Sequence, residues 1–184
     1  MLPALLPAAI WTIGHSTRGF EEFLGILAKF RIETLADVRS FPGSRRYPQY
    51  GKEALATSLT ASAIEYAWLP ALGGRRHASA NSRNTAWRNA AFRGYADHMG
   101  TAEFAQGLQQ LLELASEART VIMCAEALWW RCHRSLIADA LCVRGVQVMH
   151  IIDARHETLH PMTSAASIVQ GELSYVGGST TRSS

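Results

Sequence analysis

Long apolar runs, a disulfide complement, lysine and phosphate-cradling glycine loops are all scarce or missing in this chain of 184 residues. No run approaches the ~18 apolar residues that a membrane helix needs. The stretch Met1–Ala9 carries no Lys or Arg ahead of its short apolar segment, so neither an anchor nor a signal peptide is expected. Three cysteines, Cys124, Cys132 and Cys142, cannot close a disulfide set; their clustering suits a reducing compartment, and the cytoplasm is the expected location. Charged residues are few, 18%, against 48% hydrophobic, which excludes disorder, collagen-like repeats and coiled coil as descriptions of the whole. The length fits one domain with one sizeable core. There is no internal repeat, no P-loop and no dinucleotide-type glycine pattern.

Where charge does occur, it is uneven. The span from Arg39 to Arg93 holds eight Arg and Lys52 against only Glu53 and Glu65, while the remainder is net acidic. Only Lys29 and Lys52 are lysines; the other basic residues are Arg, whose planar fork grips phosphate or carboxylate with two parallel bonds. Genome composition explains some of this excess; the leading expectation for the middle of the chain is an anionic-ligand region, with the purely compositional reading as its alternative.

Apolar spacing alternates between strand and helix. Ile10–Gly14, Thr34–Val38, Ile64–Leu69, Thr120–Met123 and Val146–Ile152 read as strands. Helical spacing falls on Phe20–Phe30, Lys52–Ser62, Phe92–Met99, Phe104–Leu114 and Ser135–Val143. The pattern predicts a single α/β domain with a mostly parallel five-stranded sheet and helices on both faces. Its bounds are 10–170, after an N-terminal extension over 1–9 and before a small, polar tail over 171–184 that is expected to be disordered. Gly73–Asn89 has no apolar period and is too long for an ordinary connection, so it is expected to be functional or mobile.

In open α/β sheets ligands bind beyond the carboxyl ends of the strands. There the chain places His15-Ser16, Asp37-Val38-Arg39-Ser40, Gly73-Gly74-Arg75-Arg76, Cys124-Ala125-Glu126 and Asp153-Ala154-Arg155-His156. Each alone is an ordinary turn or capping residue; together they suggest one rim assembled from several strands. Cys132, His133 and Arg134 fall at the start of the fifth helix, where the helix dipole, Arg131, Arg134 and a charged His133 favour thiolate over thiol. Cys132 would then be a nucleophile, Cys124 its resolving partner or a co-ligand of a metal, and Glu126 a general acid or base. The competing reading makes Cys124 a small buried hydrophobe, Cys132 a loop residue and Glu126 an arginine's ion-pair partner. Cys142 lies in the apolar helix pattern and is assigned to the core.

Two other motifs are set aside. Cys124 to Arg131 is one residue longer than the cysteine-phosphatase loop and lacks its glycines. His156-Glu157-Thr158-Leu159-His160 matches the zinc-protease pattern, but that needs a helix, and this segment follows a strand and precedes Pro161. Trp129-Trp130 would stack on a base or sugar, pack on a partner subunit or fold over the core.

A series of ordered motifs is similar to the family DUF488, from about Ile10 to Ala166. They are Thr12-Ile13-Gly14-His15-Ser16, Asp37-Val38-Arg39-Ser40 with Pro42 and Ser44, Tyr66 before Leu72-Gly73-Gly74, Arg93-Gly94-Tyr95, Cys124-Ala125-Glu126, Cys132-His133-Arg134, His150-Ile151 and His160-Pro161-Met162-Thr163. The resemblance implies an α/β domain, marks these residues as a shared site and suggests thiol or metal chemistry.

The leading expectation is a thiol-dependent enzyme with Cys132, Cys124, Glu126, His15 and His133 as its catalytic group. It would act on an anionic, nucleotide-like or nucleic-acid substrate. Arg39, Arg45, Arg93 and Arg134 would hold the phosphate or carboxylate, with Ser16, Asp37, Ser44, Gly73, Gly74 and Tyr95 completing the binding site. The alternatives are a nucleic-acid-binding module without turnover, and a protein holding a soft metal ion through Cys124, Cys132 and His133.

Overall fold

The computed structural model describes residues 6–43 and 45–177. Its elements run β1 (Ala9–Gly14), α1 (Phe20–Lys29), β2 (Thr34–Asp37), α2 (Lys52–Ala61), β3 (Glu65–Trp68), α3 (Ala90–Met99), α4 (Ala102–Glu117), β4 (Thr120–Cys124), α5 (Arg134–Val143), β5 (Gln147–Ile151), β6 (Glu157–Leu159), β7 (Ser167–Val169) and β8 (Glu172–Ser174). Six strands form one sheet in the order β3-β2-β4-β1-β5-β6, and β7 and β8 pair separately. β1 to β5 are mutually parallel, as the alternation of strand and helix requires. β6 runs antiparallel to β5 and adds a sixth strand to the expected five.

Parallel strands are covered on both faces and therefore read as continuous apolar runs. Side chains still alternate. Ile10, Ala36, Ile122 and Val148 point into a core shared with α3, α4 and α5. Trp11, Ile13, Leu35, Val121 and Met123 enter a second core with α1 and α2. Cys124, last in β4, takes the α5 side of the sheet.

The start of α3 is fixed by Asn89, whose side-chain oxygen accepts from the N–H groups of Ala91 and Phe92, and that of α4 by Thr101, which accepts from Phe104. At α5 the cap position is His133 and its side chain makes no capping bond. The stretch 73–89 is not slack. Asp97 accepts from Ser79 N, Ser82 Oγ and Asn84 Nδ2 and pins it to α3.

One expectation needs correction, and one rejection is upheld. The tail is ordered over 171–177: Gln170 and Gly171, both at positive φ, make a two-residue turn into β8, and Tyr175 is buried. The rest of it, 178–184, lies outside the described residues, as do 1–5 and Ser44. The zinc-protease pattern falls on β6 rather than a helix. His156 is exposed beside Asp153, and His160 is buried against Asp139. Among the described residues no helix is long and apolar enough to cross a membrane.

Candidate active site

At the carboxyl ends of β2 and β4, a cavity of about 420 Å³ is lined by Arg39, Arg75, Arg131, Cys124, Cys132, His133, Glu126, Phe41 and Phe92. Such a volume takes a ligand of nucleotide size. Apart from Arg39, which Asp37 already pairs, Arg75 and Arg131 stand against the single carboxylate of Glu126, so the cavity favours an anion.

Cys124 ends β4 and Cys132 immediately precedes the cap of α5. Their sulfurs and a ring nitrogen of His133 lie within 4.8 Å of one another. His133 Nε2 is 3.0 Å from the Val38 carbonyl and so carries a proton, while Nδ1 faces the Cys132 sulfur at 3.6 Å. Arg134 Nε donates to the same sulfur at 3.4 Å. Burial resists ionisation of Cys132, but the hydrogen bond from Cys124 and the charges of His133 and Arg134 outweigh it and hold the thiol well below its ordinary pKa. The hydrogen bond to Cys132, burial and the negative charge opposite push Cys124 the other way. Of the two, Cys132 is therefore the one disposed to lose its proton and Cys124 the one disposed to keep it. The three donor atoms would also supply three of the four ligands of a soft metal ion, leaving water or Glu126 for the fourth.

Room for this arrangement comes from two glycines. A Cβ on Gly74 would stand 2.3 Å from His133 Nδ1, and one on Gly14 would strike the backbone of Glu126. Gly14 thereby lets the loop between the two cysteines close over the end of β1.

Of the residues selected from sequence, Cys124, Cys132, His133, Glu126, Arg39 and Gly74 line the cavity. Asp37, Ser16, His15, Gly73 and Arg134 stand behind it. Asp37 is fully buried and pairs with Arg39 through both carboxylate oxygens, at 2.9 and 2.6 Å, so this arginine's charge is already matched. His15 donates from Nδ1 to the Ser16 carbonyl, faces Arg39 through Nε2 and stacks on Tyr50 at 4.1 Å. Burial, with Arg39 adding to it, lowers its pKa to about 4 against the Ser16 bond, so the ring is neutral. Tyr95 is buried behind His133 and donates to the Leu72 carbonyl; Arg93 donates to the Trp87 carbonyl; Arg45 is exposed and does not line the cavity.

The reading from sequence did not choose Arg75 and Arg131 as ligands, nor Phe41 and Phe92. Arg75 lies over the Phe41 ring at 5.7 Å, and Arg131 follows the tryptophans in a turn that the spacing alone does not reveal. Trp129 stacks on His150 at 4.2 Å, while Trp130 is half exposed. Cys142 is partly buried against the core.

The family described as "Domain of unknown function DUF488" matches the chain over residues 19–141. Comparison with curated proteins and with solved structures gave no match.

Proposed function

The chain belongs to the DUF488 family, and on that premise we propose that it is a thiol-dependent enzyme acting on an anionic, nucleotide-like substrate. The observation that carries this is the Cys132 sulfur, held between His133 Nδ1 and Arg134 Nε next to an arginine-lined cavity. Arg75 and Arg131 grip the anion from the rim, and Arg39 adds directed donors below them. The Cys132 thiolate attacks the electrophilic atom of the substrate. A bond forms from sulfur to that atom as its bond to the leaving group breaks, and the Cys124 thiol supplies the leaving group's proton. Such thiols work in a reducing compartment, which accords with a cytoplasmic location.

The test is rate-resolved alkylation of the three cysteines across pH, beside elemental analysis of the purified protein. Cys132 is expected to react fastest and to titrate well below the ~8.5 of a free thiol. Cys132→Ser is expected to remain folded and lose the fast phase, with a lowered melting temperature because the buried Arg134 guanidinium loses the sulfur beside it. Stoichiometric metal with all three cysteines protected would replace this reading with a metal site. Three slow cysteines in metal-free protein would leave an arginine-lined binding module.

A further inference from the structure

Arg134 is buried, 1% exposed, and among the described residues no carboxylate touches it. Its donors go to the Glu126 and Ala127 carbonyls, to Thr12 Oγ1 at 3.2 Å and to Cys132 Sγ at 3.4 Å. A buried guanidinium stays charged, so an anion must answer it. The nearest group able to carry that charge is the Cys132 sulfur, 3.4 Å from Nε. A second is reached through Thr12.

From Thr12 Oγ1 a line of hydrogen bonds runs away from the cavity. Thr12 lies 2.7 Å from His150 Nδ1, His150 Nε2 lies 2.8 Å from His160 Nδ1, and His160 Nε2 lies 2.8 Å from Asp139 Oδ1. No member is more than 6% exposed. Asp139 also accepts from Thr163 N, Thr163 Oγ1 and Tyr175 OH. The proton positions follow from the two ends. Arg134 can only donate, so Thr12 accepts from it and turns its own hydrogen to His150 Nδ1. His150 then carries its proton on Nε2 and donates to His160 Nδ1, and His160 carries its proton on Nε2 and donates to Asp139. Every bond points from the cation toward the anion. The opposite order would leave the Thr12 hydroxyl hydrogen without an acceptor.

We propose that Thr12, His150, His160 and Asp139 are positioning residues that hold the Arg134 guanidinium against the Cys132 sulfur. The proposal rests on the reading of Cys132 as the reactive thiol. The aligned bonds polarise one another and bring part of the Asp139 charge to Arg134 without a direct ion pair. Arg134 Nε thus stays free to meet the sulfur. Trp129, stacked on His150, closes the line from the side of the cysteine loop. Thr12 and both histidines lie outside the segment matched by the family, so the inference reaches parts of the chain that the match does not cover.

The experiment uses the full chain with Thr12→Val and Thr12→Ser. Valine keeps the shape of threonine but has no hydroxyl; serine restores the hydroxyl. In Thr12→Val, alkylation of Cys132 at neutral pH is expected to slow about tenfold, with the pH profile displaced upward by about one unit. Thr12→Ser is expected to return the wild-type profile. If wild type shows the depressed profile and Thr12→Val leaves it unchanged, the positioning role fails and the thiol reading stands. If wild-type Cys132 titrates as a free thiol, both fail. Nitrogen-15 NMR of the wild type provides a measurement that needs no variant. Both His150 and His160 are expected to carry their proton on Nε2, and finding either on Nδ1 overturns the line.

Discussion

Asp37 and Arg39 stand two positions apart at the end of β2 and satisfy each other at close range in the interior. Tyr66 OH donates to the same carboxylate, and burial with that negative neighbour pushes its phenol far above the ordinary value. Asp37→Asn removes the charge and leaves a buried guanidinium without its partner, which is expected to cost about 3–5 kcal/mol, read from the denaturant midpoint. An unchanged midpoint would mean that Arg39 is answered elsewhere. The sequence marked both residues as rim candidates because they follow a strand. Their pairing was not legible, since it depends on the Arg39 side chain folding back on its own strand end. Arg75 and Arg131 show the reverse: the sequence put Arg75 on the strand-end rim and Arg131 beside Cys132 without marking either as a ligand, and the folded loops alone bring them to one cavity.

Among elements, the strands and helices were legible nearly to the residue, because doubly covered strands leave uninterrupted apolar runs and helices leave a 3.6-residue period. β6 and β8 were not. Each is three residues long, too short for any period, and each depends on a partner that sequence does not name. Tyr175 shows the cost of that gap. It follows β8 in a stretch that reads as disordered, yet it packs against Trp87 at 5.7 Å and donates to Asp139 at 2.7 Å. Removing residues 171–184 is expected to destabilise the protein by about 3 kcal/mol or more, the usual cost of losing a buried aromatic. Denaturant unfolding of the shortened chain measures it, and a dispensable tail would change nothing. Of the buried line, Thr12, His150 and His160 stood out within family-like motifs, and Asp139, a lone acid within Leu136-Ile137-Ala138-Asp139-Ala140-Leu141, was not singled out.

Over the described residues, part of the basic charge is already matched by carboxylates. Arg39 pairs with Asp37 and Arg76 with Glu103, so the basic excess of the middle of the chain is only partly available to a ligand. His15 is lowered to about 4 and His150 to about 2, both chiefly by burial, so both rings are neutral in the folded chain at neutral pH. Unfolded, each would take up a proton as pH falls through ~6.5, while the folded state resists until much lower pH. Their stabilising contribution is therefore complete above about pH 6.5 and is lost progressively as acid is added. The melting temperature is expected to decline from about pH 6.5 toward pH 4; a flat profile there would mean that neither ring is sequestered.

The strand order has a consequence in time. β1 lies in the middle of the sheet, where Trp11 is paired with Val121 on one side and Met149 on the other. Its neighbours, β4 and β5, begin only at Thr120 and Gln147. During synthesis on a ribosome, Ile10–Ile13 would emerge first and wait for both partners, a delay in which an apolar segment stays open to aggregation or to a chaperone. Refolding from denaturant faces the same long closures, which places this topology among the slower folders for its size.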